Sequence, residues 1–362
     1  MKFLFVVQGE GRGHLTQALA TRETLTRAGH EVTGILVGKR RGTTLPPFFV
    51  ARAGVPVETF DSVYFVYSRK GKGAMFARTI ARHAACWPAY ARSVWWLRRR
   101  LRECDADVVI NFYEVLAGVT YALFRPRVPC VCVAHQYLFL HPGFVPPPRV
   151  NRLEAHTMLL FTRLTAARAT RLLALSFREM PGHGKIRVIP PRVRQEARQL
   201  ETSDGGYVLG YLLDAGFATR VVEWHERFPD VPLRFFWKQE DAPAVTRVDD
   251  TLAFYQLDDV AFLEQMAGCM AYACTGGFES VCEAMFLGKP VMMVPAHVEQ
   301  SFNAFDATRS GAGVAARSFD LSVLLDYLPH HVPSPAFVEW TNRSDSVLLD
   351  ELAAIARERG LS

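Results

Sequence analysis

Short apolar runs recur along this chain and alternate with longer stretches in which apolar positions repeat every three or four residues. The short runs read as buried strands and the longer ones as helices lying on them. In the first half, strands are expected at 3–7, 32–37, 55–59, 108–110, 130–134 and 172–175. Helices are expected at 15–28, stopped by Gly29, and at 74–86, broken by Pro88 because proline cannot continue the hydrogen-bond ladder. A second rhythm starts after Pro190-Pro191, with strands at 207–212, 233–237, 252–255, 270–274 and 291–295. Its helices fall at 215–228, 260–267, 277–287 and 300–310. Strands alternating with helices build βαβ units and parallel sheets, so the fold class is α/β. The stretch 180–203 is rich in proline, glycine and charge. The expected domains are 1–185 and 204–335, with a linker at 186–203 and a C-terminal helix, 336–362, packing back on the first domain. Two such halves leave a cleft between the carboxyl ends of their strands, where ligands bind in open α/β sheets.

Composition narrows the class. The 362 residues are 49% hydrophobic and 22% charged, which excludes a disordered or fibrous chain. No run reaches the roughly 18 apolar residues of a membrane span, and the apolar stretch 3–7 is too short for a signal peptide. The seven cysteines are therefore expected to be reduced thiols in a cytoplasmic protein. Their spacing makes no zinc or redox motif, and Cys130 and Cys132 alternate on an apolar strand as structural residues. The net charge of +6 conceals an asymmetry. Residues 1–200 carry 31 Lys and Arg against 12 Asp and Glu, whereas residues 201–362 carry 11 against 24. The halves differ electrostatically as well as in sequence.

Two motifs carry chemistry. Gln8-Gly9-Glu10-Gly11-Arg12-Gly13-His14 lies between the first strand and the first helix. Its glycines let the backbone turn tightly and approach a ligand, and the following helix start offers unpaired N–H groups. The spacing is Gly-x-Gly-x-Gly-His, not the Gly-x-Gly-x-x-Gly of dinucleotide-binding proteins, which weakens an NAD-dependent oxidoreductase reading. The second motif is Thr275-Gly276-Gly277-Phe278-Glu279-Ser280-Val281-Cys282-Glu283-Ala284, followed by strand 291–295 and then Glu299-Gln300-Ser301-Phe302-Asn303-Ala304. Gly276, Gly277 and Ser280 lie at a helix start that can hold a diphosphate without metal. Glu283, one turn after Ser280, can accept hydrogen bonds from a ribose diol, and Glu299-Gln300 suit sugar hydroxyls.

With these residues in place the chain resembles a GT-B glycosyltransferase: two Rossmann-like parallel-sheet domains facing across a cleft. The nearest branch holds the peptidoglycan-precursor N-acetylglucosaminyltransferases and the UDP-glucuronosyl and glucosyl transferases. The family signature Gly-(aromatic)-x-Ser-x-x-Glu-Ala is matched by Gly277 through Ala284. The resemblance implies Ser280 at the donor phosphates, Glu283 on the ribose, and Glu299, Gln300 and Asn303 on the donor sugar. It implies that the strand end at Tyr255, Gln256 and Leu257 reads the base, and that His14 is the general base. Gly11, Gly13, His135 and Gln136 would line the acceptor side. Thr275 replaces a histidine found in many members. The aspartate that orients the base histidine in plant members falls near Asn111, leaving Glu114 or Glu10 as candidate assistants. The glycine-rich turn after the first strand of the second domain is weak here, at 210–214.

The resemblance therefore implies an inverting, metal-independent hexosyltransferase. It would use a nucleotide sugar, a UDP-sugar, as co-substrate, with no other cofactor and a lipid-linked or glycan acceptor. A nucleotide-sugar hydrolase or epimerase of the same fold and a non-catalytic, membrane-docked nucleotide-sugar binding protein are the alternatives. Asp105-Ala106-Asp107 has an acid-x-acid spacing used for metal–nucleotide binding, but it precedes a strand and belongs at the sheet's amino edge. His330-His331 has no further ligand spacing for a metal. The stretch 69–102 carries ten Lys and Arg and no acid, interleaved with Phe76, Trp87, Tyr90, Trp95 and Trp96. Such a segment suits an anionic membrane surface, placing the protein peripherally on the inner face of the membrane. No nucleic-acid module accompanies the charge.

Overall fold

A computed structural model describes residues 1–64, 76–212, 215–239 and 242–360. The first sheet contains β1 (Lys2–Gln8), β2 (Glu31–Lys39), β3 (Val57–Asp61), β4 (Val108–Phe112), β5 (Cys130–Ala134), β6 (Arg171–Leu175) and β7 (Ile186–Ile189). Their order is β3-β2-β1-β4-β5-β6-β7, and every pair is parallel. The second contains β8 (Val208–Leu212), β9 (Leu233–Trp237), β10 (Val245–Arg247), β11 (Leu252–Gln256), β12 (Ala271–Cys274), β13 (Val291–Met293) and β14 (Gly313–Ala315). Their order is β10-β11-β9-β8-β12-β13-β14, with only β10 antiparallel. The central strands β1, β4 and β5 are buried nearly throughout because helices cover both sheet faces.

Strand order fixes where a ligand belongs. Consecutive strands run outward in opposite directions from β1 and β4 in the first sheet, and from β8 and β12 in the second. The loop after β1 is Gly9–Arg12, and the turn after β12 is Thr275–Gly277. Both motifs thus stand at the carboxyl-end crevice of a topological switch point. Asp105 and Asp107 lie at the opposite edge, where Lys2 donates to Asp107 from its backbone and pairs with Asp105 through its Nζ.

Three expectations need correction. Ile186–Ile189 pairs in parallel with β6, so the first sheet reaches residue 189 and the linker is shorter than 186–203. The helix expected to break at Pro88 runs unbroken as Phe76–Glu103. Pro88 is exposed, where water can bond the carbonyl it leaves free, while Tyr90, Val94, Leu97 and Leu101 bury one helical stripe on the core. The expected helix 215–228 is a 3-10 turn, Ala215–Phe217, leading into Ala218–His225. Residues 69–75 of the basic stretch, with Leu213 and Asp214, lie outside the described residues.

The C-terminal helix Ser344–Arg359 lies along the first sheet's β7 side. Arg171 on β6 pairs with Glu358, and Asp345 accepts from Thr24 and Arg192. Among the described residues no helix is long and apolar enough to cross a membrane.

Candidate active site

The two switch points meet. Gly13 opens the helix Gly13–Arg27, and a Cβ placed on it would sit 2.5 Å from Glu279 Oε2. A side chain here would have to displace the Glu279 carboxyl. Gly276 takes the left-handed φ of 83° that the turn after β12 requires. Gly276 N donates to Cys274 Sγ at 3.3 Å, while Gly277 is the N-cap of the helix Phe278–Phe286 and has no side chain to cap it. Its N–H groups and helix dipole therefore favour an anion. Ser280 is half-buried and turns its hydroxyl back to Gly277 O at 3.4 Å.

His14 stands in the second position of the Gly13–Arg27 helix, its ring stacked on Tyr113 at 5.3 Å and 24°. Burial drops its pKa to about 4, so the imidazole is neutral at pH 7. Tyr113 adopts a left-handed φ of 62°, and its hydroxyl shares a hydrogen with Thr162 Oγ1 at 2.7 Å. A bulky residue in that region is strained, and such strain concentrates at functional sites. Nothing in the sequence pointed to Tyr113; its conformation is a property of the loop between β4 and the helix Val115–Phe124.

The candidate assistants are placed differently from expectation. Asn111 is buried, donates to the carbonyls of Glu114 and Thr165 and accepts from Glu114 N, so its amide is committed to the backbone. Glu114 caps the Val115–Phe124 helix through Leu116 N and accepts from Ser62 Oγ at 2.5 Å, with no hydrogen bond to His14. Burial pushes its carboxyl up to about 7, against the Ser62 and Leu116 hydrogen bonds. Glu10 is half-buried in the glycine loop, and Gly11 is exposed with a φ of 83°.

On the second lobe, Glu283 is buried and held by Arg194, whose Nε and Nη2 donate to its two carboxylate oxygens at 2.5 and 2.9 Å. Arg194 belongs to the segment joining the sheets, and charge-rich connections gave no sequence signal for this partner. Gln300 is likewise committed: Nε2 donates to Thr275 Oγ1 at 3.1 Å and Oε1 accepts from Ala296 N at 2.9 Å. Asn303 donates to Gly276 O, while its Oδ1 is buried without a partner. Glu299 accepts from Gln136 Nε2 at 2.8 Å, a hydrogen bond between the lobes. Burial also raises the Glu299 carboxyl.

His135 does not reach into an open cleft. Its ring stacks on Phe278 at 3.9 Å and meets Phe139 and Phe177 edge-on. A carbonyl only accepts, so Nδ1 donates to Leu175 O at 2.7 Å and the buried Nε2 keeps an unpartnered lone pair. Burial drops this histidine to about 4. Tyr255 is half-buried and stacks on Phe236, Gln256 Nε2 bonds Ala242 O at 3.1 Å, and Leu257 N bonds Trp237 O at 3.1 Å. These bonds shape the end of β11.

Glu279 was the unspecified position of the signature, yet it spans the lobes. Burial pushes its carboxyl up to about 7, aided by Glu283 and Glu299, so near neutrality it tolerates an anionic neighbour. Arg12 and Asp259 form an ion pair between the lobes, as do Arg178 and Asp306 at 2.6 Å. Among the described residues no group of three His, Cys, Asp or Glu is arranged to hold a metal ion.

Two sheets, parallel but for the edge strand β10, with a glycine turn leading into a helix at each switch point define a GT-B α/β protein. The family model for Glycosyl transferase family 1 matches residues 1–333. The chain belongs to that family and is a glycosyltransferase. It is 29% identical over 154 residues to the UDP-N-acetylglucosamine--N-acetylmuramyl-(pentapeptide) pyrophosphoryl-undecaprenol N-acetylglucosamine transferase of Clavibacter michiganensis. That match covers 42% of this chain and 36% of the relative, about a third of its length. The glycotransferase of kitacinnamycin superposes with a TM-score of 0.62 at 18% identity, covering 100% of this chain and 99% of that one. UGT2 of Phytolacca americana, complexed with UDP-2fluoro-glucose and pterostilbene, superposes at 0.65 and 14% identity, with 98% of each chain covered. At these identities the likeness is one of fold.

Proposed function

We propose that the protein is an inverting glycosyltransferase that moves a sugar from a UDP-sugar to an acceptor hydroxyl or amine without a metal. The observation that carries this reading is the start of the Phe278–Phe286 helix, whose Glu279 carboxyl lies against Gly13 at the start of the Gly13–Arg27 helix across the lobes. The diphosphate rests on the N–H groups around Gly277 and Ser280, and the helix dipole stabilises it as it leaves. Glu283 accepts from the ribose diol, exchanging part of its bond to Arg194. Glu299, with Asn303, takes sugar hydroxyls, and the end of β11 at Tyr255–Leu257 borders the base. Neutral His14 removes the proton from the acceptor as its oxygen or nitrogen attacks the anomeric carbon opposite the diphosphate. Contact between the lobes excludes water and limits hydrolysis. The Clavibacter relative is named for a UDP-sugar donor and a lipid-linked acceptor, and the Phytolacca structure holds a UDP-sugar analogue; both support the donor class.

A peripheral seat on the cytoplasmic face of a membrane suits a lipid-linked acceptor. Trp87 and Trp95 are exposed on the Phe76–Glu103 helix, Leu123 on the helix Val115–Phe124 packed beside it, and Leu160 and Leu164 on Arg152–Thr165, which packs on Val115–Phe124. Arg98 lies over Trp95 and Phe124. Apolar side chains rimmed by arginine match the chemistry of an anionic bilayer surface. The test is a thermal-shift screen of nucleotide diphosphates, followed by product analysis with the UDP-sugar that stabilises most. Stabilisation by UDP with no turnover on any acceptor, or free sugar released without acceptor, would overturn transfer. Equal co-sedimentation with neutral and anionic liposomes would overturn the membrane seat.

A further inference from the structure

The proposed general base is held by no hydrogen bond. His14 is half-buried, and among the described residues nothing bonds its imidazole. Unpartnered and not enclosed, its nitrogens stay open to an acceptor. A histidine side chain turns about two bonds unless its surroundings fix it. What lies against this ring is Tyr113, stacked at 5.3 Å between centroids and 24° between planes.

Tyr113 is itself fixed from several sides. Asn111 Oδ1 accepts from Glu114 N at 2.8 Å, and Asn111 Nδ2 donates to Glu114 O at 3.1 Å and Thr165 O at 3.0 Å. One buried amide thus closes the loop after β4 across three residues, and Tyr113 inside it takes the left-handed φ of 62°. Glu114 fastens the far side by capping the next helix through Leu116 N at 2.9 Å. The Thr162 hydroxyl donates to Met158 O at 2.8 Å, so its oxygen is left to accept from the Tyr113 hydroxyl at 2.7 Å. Tyr137 and Phe161 meet the Tyr113 ring edge-on at 5.8 and 5.7 Å. A tyrosine in that backbone region persists only where its surroundings over-determine it.

A ring locked in this way restrains the one stacked on it and keeps water from one of its faces. The charged or titratable groups on the elements around His14 are Glu10 and Arg12 in its own loop, Tyr113 and Glu114 after β4, and Glu279 against Gly13. None of them moves the imidazole electrostatically; desolvation alone lowers it, to about 4. A tyrosine face also attracts an imidazolium, which works in the opposite direction, and exclusion of water is the larger effect here.

We propose that Tyr113 is the positioning residue of His14: its ring, pinned by Asn111 and Thr162, holds the imidazole in one plane by stacking, where no carboxylate hydrogen bond does so. This role rests on His14 being the general base. Asn111 and Glu114, the expected assistants, then act at one remove, through the tyrosine.

The test follows the His14 ring resonances of the full chain by NMR against pH, assigned by their loss in His14→Ala. Tyr113→Phe and Tyr113→Asn are measured beside the wild type. Asparagine tolerates the left-handed region, so Tyr113→Asn removes the ring and keeps the loop. In the wild type the resonances should lie upfield, within the tyrosine ring current, and titrate near 4. Tyr113→Phe keeps the stack and should leave both unchanged. Tyr113→Asn should lose the upfield displacement and titrate about one pH unit higher or more, toward the ordinary 6.5. Turnover with the UDP-sugar and acceptor that give product in the screen above should fall about tenfold or more in kcat for Tyr113→Asn, with KM for the UDP-sugar within about twofold. Tyr113→Phe should recover it. Wild-type resonances without upfield displacement, or a Tyr113→Asn titration and kcat like those of the wild type, would refute the positioning role and leave His14 as base. Turnover retained by His14→Ala would refute the base itself, and the role of Tyr113 with it. The wild-type spectrum decides the stack even where the melting temperature of Tyr113→Asn shows that this variant does not fold.

Discussion

Replacing Glu283 by glutamine tests structure and function at one position. The Arg194–Glu283 pair has side chains only 14% and 4% exposed, and two direct bonds of 2.5 and 2.9 Å. Removing one partner of a buried pair costs roughly 3–5 kcal/mol, because the other charge stays buried. Asp259 Oδ1 stands 3.7 Å from Arg194 and can take over part of that charge, which points to the lower end. A loss of about 3 kcal/mol corresponds to a fall in melting temperature of roughly 4 °C for 362 residues unfolding together. Arg194→Gln strands Glu283 instead and should destabilise to a similar extent. The two variants part in binding. Glu283→Gln removes a charged acceptor from the ribose diol, worth about 1.5–3 kcal/mol, or roughly 10- to 100-fold in UDP affinity. Arg194→Gln leaves the acceptor in place and should bind UDP at least as well as the wild type. Calorimetric titration with UDP, at a temperature where both variants are folded, decides between them. Equal loss of UDP affinity in both variants would make Glu283 a structural residue, and unchanged affinity in Glu283→Gln would remove it from the ribose.

With a pKa near 4, His14 is neutral down to about pH 5, so the acid limb of kcat/KM should fall near 4 rather than 6.5. His14→Ala should lose about 10²–10⁴ of the rate while keeping UDP affinity, and an acid limb near 6.5 in the wild type would point to another base. Glu114, fully buried with its carboxyl near 7 against an ordinary 4.5, binds its proton more tightly in the folded chain. Its stabilising contribution is complete below about pH 4.5 and lost as pH rises through 7, a swing of about 3 kcal/mol. Glu114→Gln stays neutral throughout, so urea unfolding across pH 5–8 should give a flatter profile than the wild type, and parallel profiles would contradict the shift.

Strands between unlike flanks were legible, and those without their own signal were not. Cys130–Ala134 is read to the residue because it is apolar and bounded by Pro129 and His135. Ile186–Ile189, Val245–Arg247 and Gly313–Ala315 are three or four residues long, and their pairing rests on neighbours already in the sheet. The helix Val115–Phe124 is nearly all apolar and buried over most of its length, so no polar face marks its period. Arg152–Thr165 did carry a signal, with Asn151 capping and Glu154 three residues on. In the site, glycine spacing located both switch-point turns because backbone geometry is local. The partners of Glu283, Gln300 and Glu299 were not legible, because Arg194, Thr275 and Gln136 reach them only through the fold.

Those partners change what ligand affinity means here. Glu283 is already bonded by Arg194, Glu299 by Gln136, and Gln300 by Thr275 and Ala296, so a donor binds by exchange more than by addition. Of the buried polar atoms left without partners on the candidate residues, Gln136 Oε1, Asn303 Oδ1 and the His135 Nε2 lone pair are acceptors, whereas Glu114 Oε2, whose sister oxygen already accepts from Ser62 and Leu116, carries the proton that burial retains. Each of the three acceptors leaves a desolvation cost of roughly 1–3 kcal/mol unmet. Sugar and ribose hydroxyls are the donors such acceptors lack. On the proposed reading these acceptors meet the sugar and ribose hydroxyls of a nucleotide sugar, which a bare phosphate does not supply.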